Sequence, residues 1–362
     1  MKQHTWWFCF LVDISLYIKA LKLERRFIKG PNITSSPGIV RGLFFFSYFC
    51  QKEIVLEKGI VIKSTGSWYA VRKQDGLVIN CKIKGSFRTR GIRTTNPVAV
   101  GDHVSLIVDN GHGVIWEIEP RKNYIIRKSS NLSKETQIIA ANIDQALLVV
   151  TLVFPKLSTE FIDRFLVTSE AYRIPSILIF NKTDLYDEQK MKELQMIKSV
   201  YEGVGYKTIK VSAVDRTNLE MIKNVMKNKI SLIAGQSGVG KSTIMNSIDS
   251  NLNLRTETIS KSHKTGKHTT TYAEMHLLDF GGSVIDTPGI KGFGLVDFEK
   301  EEIYHYFPEI FKASKNCEYN NCSHTHETNC AVKNFVEKGK ISETRYRNYL
   351  RILEDKGKKY RG

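Results

Sequence analysis

One octapeptide constrains this chain more than any other stretch: Gly235-Gln236-Ser237-Gly238-Val239-Gly240-Lys241-Ser242. An apolar run, Ile230–Ala234, precedes it, and a helix-like segment from Lys241 to about Ile248 follows. Strand, glycine-rich turn and helix, in that order, form a phosphate-binding loop. Gly235, Gly238 and Gly240 let the backbone curl so that successive N–H groups face one anion. The helix adds its positive end, Lys241 reaches the β- and γ-phosphates, and the Ser242 hydroxyl is placed to ligate Mg²⁺. Gln236, Ser237, Val239 and Thr243 complete the predicted phosphate wrap.

A chain with this loop needs a parallel sheet to hold it, and the surrounding pattern predicts one. Apolar runs at Ala146–Leu152, Ser176–Phe180, Thr208–Val211 and Ile230–Ala234 alternate with helical periodicity at Thr159–Tyr172, Lys190–Tyr201 and Asn218–Lys227. Such alternation means an α/β layer with ligands at the carboxyl ends of the strands. The other polar motifs fall at that edge. Asn181-Lys182-Thr183-Asp184 follows the second run, and Asp184 can accept from both N1–H and the exocyclic amine of guanine, a donor pair adenine lacks. Asn181 is expected to brace the loop, the Lys182 stem to cover the base, and Ser212-Ala213 to offer a backbone N–H to guanine O6. Val284-Ile285 runs into Asp286-Thr287-Pro288-Gly289, which predicts an aspartate in the Mg²⁺ shell and a glycine N–H that senses the γ-phosphate. Between these motifs lies Ser260–Thr271, where Thr270, with Thr269 as the alternate, is expected to complete the Mg²⁺ coordination.

The order of these pieces is unusual. Ordinary GTPases run phosphate loop, switch threonine, Asp-x-x-Gly, Asn-Lys-x-Asp and then Ser-Ala. Here the last two come first, which predicts a circularly permuted domain. Ile290 stands where Ras-type enzymes place a water-orienting glutamine, so slow intrinsic hydrolysis is expected, with His268 the internal candidate for the missing group and His263 a weaker one. Lys241 and Thr270 complete the expected catalytic set.

The flanks carry different signals. Residues 56–126 hold short alternating runs at Gly59–Ser64, Ser67–Lys73, Leu77–Lys84, His103–Val108 and Val114–Ile118, parted by turn residues, which predicts an OB-type β-barrel. Lys82, Lys84, Arg88, Arg90 and Arg93 surround Gly91 in a basic loop suited to RNA phosphates. A formal charge of +17 points to a polyanionic partner. At the other end, Cys317, Cys322 and Cys330 crowd together with His324, and such clustering reads as metal ligation, with His326 as a spare donor. Helical patterns at Glu301–Phe311 and Glu343–Leu353 flank it, the second followed by Lys356, Lys358, Lys359 and Arg361. Residues 1–55 fit neither pattern; we expect them to lie outside the native protein, with translation starting near Leu56, and a tethering arm is the rival reading. No apolar run reaches the 18 or so residues of a membrane span.

With a barrel before and a Cys/His knuckle after a permuted nucleotide domain, the chain from about Lys58 to its C-terminus resembles the bacterial ribosome small-subunit-dependent GTPase A family. The resemblance implies a multidomain fold: OB-type barrel (56–126), circularly permuted α/β P-loop GTPase domain (127–295) and mostly helical zinc-binding domain (296–362). It implies one structural Zn²⁺ at Cys317, Cys322, His324 and Cys330, and Mg²⁺ with GTP at Ser242, Thr270 and Asp286. Its expected partners are GTP or GDP and the small ribosomal subunit with its rRNA, in late maturation of that particle, for a cytoplasmic monomer without membrane contact. The competing reading is an rRNA-binding assembly protein whose guanine-nucleotide site is structural and hydrolyses little.

Overall fold

The computed structural model describes residues 56–84, 97–109, 111–128, 136–156, 158–254, 273–286 and 299–355. Barrel strands β1 (Glu57–Ser64), β2 (Tyr69–Lys73), β3 (Val78–Ile83), β4 (His103–Asp109) and β5 (His112–Ile118) form where the alternating runs predict them. Period-2 alternation turns Val61, Tyr69, Val71, Cys81, Val104, Leu106 and Ile115 into one core. The strands pair in the order β1-β2-β3-β5-β4, and β4 returns to β1, so the sheet closes on itself. Buried Asp102 accepts from Ala99 N–H and forms an ion pair with Arg121 at 2.6 Å, fixing the chain where it leaves the barrel.

A two-stranded ribbon, β6 (Tyr124–Lys128) and β7 (Thr136–Ala141), follows and straddles residue 126. The parallel layer then builds from β8 (Gln145–Val150), β9 (Ser176–Phe180), β10 (Lys207–Lys210), β11 (Ile230–Ala234) and β13 (Ser283–Asp286), with β12 (Glu274–Leu277) antiparallel at its side. The spatial order is β10-β9-β8-β11-β13-β12. β12 also pairs with barrel strand β1 at Lys63↔Glu274, a register that an ion pair between the same side chains reinforces, so barrel and parallel layer share one sheet.

β8 is buried along its whole length and divides its side chains between two cores. Ala146, Leu148 and Val150 pack with Ile162, Phe165 and Leu166 of α1 (Thr159–Ala171) and Leu194 and Tyr201 of α2 (Glu188–Val204). Leu147 and Val149 pack with Leu219, Ile222 and Met226 of α3 (Leu219–Met226) and Ile244, Met245 and Ile248 of α4 (Lys241–Ile248). Local signals set the helix ends: the Ser158 side chain accepts from Phe161 N–H, Asp187 from Lys190 N–H, and Gly205 closes α2 at φ 111°.

Past residue 299 the elements are short: a 3₁₀ segment (Lys300–Tyr306), α5 (Pro308–Ser314), α6 (Ala331–Glu337) and α7 (Glu343–Asp355). The single helix expected over Glu301–Phe311 is broken, because Phe307 is extended ahead of Pro308. Ile303, Phe307, Ile310, Val332, Tyr349 and Ile352 make a third core that Val167 of α1 joins. Helix α1 therefore serves both the parallel layer and the C-terminal helices. Among the described residues, no helix is long and apolar enough to cross a membrane.

Candidate nucleotide-binding site and metal centre

The carboxyl ends of β8, β9, β11 and β13 bring most of the expected nucleotide residues to one edge. Gly235 (φ 142°), Gly238 (φ 82°) and Gly240 (φ 96°) take the backbone conformations their type permits. Two are also required by space: a Cβ at Gly235 would stand 2.3 Å from Val149 O, and one at Gly240 would stand 2.3 Å from Asn181 Nδ2. The second contact belongs to a brace between motifs. Asn181 is buried, its amide donates to Val239 O at 2.9 Å, and its carbonyl accepts from Ala213 N–H at 3.3 Å. One side chain thus ties the Asn-Lys-x-Asp turn to the phosphate loop and to the Ser-Ala turn.

The rest of the tetrad is fixed by the same neighbours. Thr183 donates from its hydroxyl to Val211 O at 3.0 Å, and Ser212 Oγ donates to Asp184 Oδ1 at 2.6 Å while accepting from Asp215 N–H. Asp184 itself is exposed, with the Ser212 hydroxyl holding one of its oxygens in place. Lys182 sits in the left-handed region at φ 63° and donates from Nζ to Phe154 O at 2.6 Å. Burial lowers the Lys182 pKa, and Asp184 offsets this only in part. Lys241 Nζ donates to Gly235 O and Gln236 O at 2.9 and 3.0 Å, lying across the loop it follows.

Gly240 caps α4, so Ser242 and Thr243 fall in its first turn, with Gln236, Ser237 and Val239 in the loop before it. Asp286 closes β13 in register with Ile233 of β11, one residue short of the end of the strand that feeds the phosphate loop. A hydroxyl in the first turn of α4 and a carboxylate at the end of β13 are the hard oxygen donors that Mg²⁺ prefers, so the donor set fits the ion. Thr270, Thr269, His268, His263, Gly289 and Ile290 lie outside the described residues, as do Arg88, Arg90, Gly91, Arg93 and the basic tail from Lys356.

Sequence reasoning passed over Tyr186. Its hydroxyl donates to Asn181 O at 3.0 Å and accepts from Leu152 N–H at 2.8 Å, joining the β8 and β9 ends beneath the tetrad. An aromatic residue two positions past the tetrad was the only available signal.

At the knuckle, one ligand atom each from Cys317, Cys322, His324 and Cys330 falls within 4.8 Å of every other. A tetrahedral zinc with Zn–S of about 2.3 Å and Zn–N of about 2.05 Å sets S···S edges near ~3.75 Å and N···S edges near ~3.5 Å. The observed Cys317–Cys330 separation is 4.0 Å, and His324 Nδ1 stands 3.6 and 3.5 Å from those two sulfurs. Four soft or borderline donors at these spacings fit Zn²⁺ with no open position, the arrangement of a structural site. His326 is exposed and bonds to Thr325 Oγ1, so the spare donor is not in the cluster. Burial lowers the His324 pKa against the pull of Glu327, which keeps the imidazole neutral for ligation. Burial also pushes the Cys322 thiol up to about 12. Burial raises Cys330 as well, so a cation is needed to hold these two sulfurs as thiolates.

The knuckle has a shell that the motif did not announce. Glu327 accepts from Ser323 N–H and Oγ and from Thr325 N–H; burial works against its charge, but these bonds bring its pKa down to about 2. Tyr346 and Tyr349 of α7 donate to the carbonyls of His324 and Ser323, both at 2.7 Å. Arg345, 1% exposed, reaches Asp163 of α1 at 2.6 Å and Glu309 of α5 at 2.7 Å, while Asn348 donates to the other Asp163 oxygen. Burial disfavours the Arg345 charge, but Asp163 and Glu309 hold its pKa well above that of a free arginine.

Comparison with known proteins agrees with this geometry. The RsgA N-terminal domain matches residues 58–115 and the RsgA GTPase domain matches residues 118–296. A protein of Phocaeicola vulgatus described as small ribosomal subunit biogenesis GTPase RsgA is 55% identical over 306 residues, covering 84% of this chain and 99% of its own. Small ribosomal subunit biogenesis GTPase RsgA 2 of Bacteroides thetaiotaomicron is 56% identical over the same shares. The crystal structure of YjeQ from Thermotoga maritima superposes with a TM-score of 0.72 at 35% identity, over 84% of this chain and all of that one. YloQ, described as a circularly permuted GTPase, superposes with a TM-score of 0.67 at 31% identity, over 86% and 99%. The chain belongs to the RsgA family of GTPases, with a permuted nucleotide domain between an OB-type barrel and a Cys/His knuckle.

Proposed function

We propose that this GTPase acts in biogenesis of the small ribosomal subunit, as its relatives' names describe, that its step is a late one in maturation, and that nucleotide state governs its release from that particle. The Asn181 brace carries the reading, since it makes base recognition and phosphate binding one rigid unit. In it, Asp184 reads guanine, Lys182 and the Ser212-Ala213 turn line the base, and Gly235 to Thr243 wrap the phosphates. Asp286 and Ser242 hold Mg²⁺, together with Thr270; Gly289 senses the γ-phosphate. Mg²⁺ held there would supply positive charge against the charge developing on the phosphates. Lys241 shares that task by moving its ammonium from loop carbonyls to phosphate oxygens, a short swing for a flexible stem. His268 orients the attacking water.

Barrel (56–126) and knuckle domain (296–362) supply rRNA contacts on either side of the nucleotide domain (127–295), and the protein works as a cytoplasmic monomer. Support for two RNA-facing flanks comes from the +17 charge and the basic residues of both. GTP turnover with and without purified small subunits tests the proposal. Stimulation well above the basal rate is expected; an unchanged rate favours an RNA-binding protein with a structural nucleotide site.

A further inference from the structure

Neither the nucleotide edge nor the metal centre uses the outer face of β2, β3 and β5. Inward positions there belong to the barrel core, so alternation leaves Arg72, Asn80, Lys82, Lys84, His112 and Trp116 on the outside, with Trp68 just ahead of β2. Continuing the β2–β3 register sets Trp68 across from Lys82, and the ammonium lies 4.4 Å from the indole centroid. Continuing the β3–β5 register sets Lys84 across from Trp116, with 3.0 Å between ammonium and ring.

The placement of Trp116 has a visible cause. β4 and β5 shift register between Ser105↔Glu117 and Leu106↔Ile115, leaving Trp116 as the extra residue of a bulge. Bulges of this kind re-aim a side chain. His112 completes the cluster, its ring 6.2 Å from that of Trp68. Trp68 keeps 41% of its surface exposed, a large area for an indole with no role in a core. Among the described residues, Asp109 stands opposite His112, Glu117 lies beyond the bulge, and Asp75, in the β2–β3 turn, is paired with Lys73.

We propose that this face binds single-stranded RNA, stacking unpaired bases on Trp68 and Trp116 while Arg72, Lys82 and Lys84 meet the phosphates. The proposal rests on the rRNA-binding function above and specifies the form of RNA. Aromatic rings interleaved with cations suit unstacked bases, because every base has a face to stack and duplex bases are already stacked. Lysines alone would serve a duplex equally well; the two indoles are what make the face selective.

The test uses the full chain, a short fluorescein-labelled oligouridylate and a blunt RNA duplex of equal length, titrated across a salt series. Trp68→Ala and Trp116→Ala are each expected to weaken oligouridylate binding by about 5- to 150-fold. Duplex binding should be unmoved, and Trp68→Phe should retain most of the affinity. K82Q with K84Q should lower the salt slope for the single strand by about 1.4. Equal losses on single strand and duplex, or none on either, overturn the proposal, as does indole-dependent binding of polyglutamate in place of RNA. Subunit-stimulated GTP turnover of the unsubstituted chain separates the failures: if stimulation persists while the oligouridylate ignores both indoles, only the stacking face is wrong.

Discussion

The nucleotide edge and the zinc knuckle both hold irregular backbone in a fixed shape, and they do it by different means. At the nucleotide edge the loops hang from parallel strands buried on both faces, and a few side chains, Asn181, Ser212 and Tyr186, bond across them. At the knuckle there is no sheet among the described residues, and α5 and α6 are seven residues each. Helices that short do not persist alone. Rigidity there comes from four metal ligands and from Arg345, which clamps α7 to α1 and α5. The first region keeps its shape through the sheet; the second adds a metal ion and one buried cation to a small core of its own.

That contrast predicts which substitutions spread and which stay local. The largest effect is expected from Cys330→Ala. Structural zinc contributes on the order of 10 kcal/mol in small metal-folded domains, so bound zinc and the α5–α7 core should be lost together. GTP affinity should survive within a few-fold; zinc analysis, helical circular dichroism and nucleotide titration on one sample check it. Loss of GTP binding as well would erase the distinction between the regions.

Next comes Arg345→Met, which strands Asp163 in a buried site and is expected to cost about 3–5 kcal/mol. The companion variant Arg345→Met with Asp163→Leu should recover much of that loss in chemical denaturation. Because α1 lies under both regions, this pair measures how far knuckle damage reaches the parallel layer. At the other pole, Lys241→Ala should lower GTP turnover by roughly 100-fold or more, about 3 kcal/mol of lost charge stabilisation, with zinc content and melting unchanged. The smallest effect sharpens base choice. Asp184→Asn should weaken GTP by roughly 30-fold, near 2 kcal/mol, and favour the xanthine nucleotide, whose C2 carbonyl suits an amide donor. Unchanged GTP affinity would remove Asp184 from base recognition.

The two regions also differed in how far the sequence exposed them. Nucleotide and zinc motifs are local: the chemistry needs certain residue types within a few positions, so Gly235–Ser242, Asn181–Asp184 and Cys317–Cys330 stand out unaided. Strand limits followed closely for the same reason, with β9 and α4 lying where periodicity set them. What stayed hidden is what distant registers bring together. Asp163 and Arg345 are 182 positions apart, and each alone looks like an ordinary charged residue on a helix. The β1–β12 pairing that merges barrel and parallel layer joins two strands whose patterns carry no mark of each other. Lys82 and Lys84 stood out as charges, but Trp68 and Trp116 join them only through barrel register and a bulge.

Nucleotide state, set at the braced edge, is expected to control attachment to the small ribosomal subunit. Co-sedimentation of the full chain with purified small subunits, in a non-hydrolysable GTP analogue and in GDP, tests it most directly. Retention with the analogue and release with GDP are expected. Equal retention in both nucleotides would contradict it.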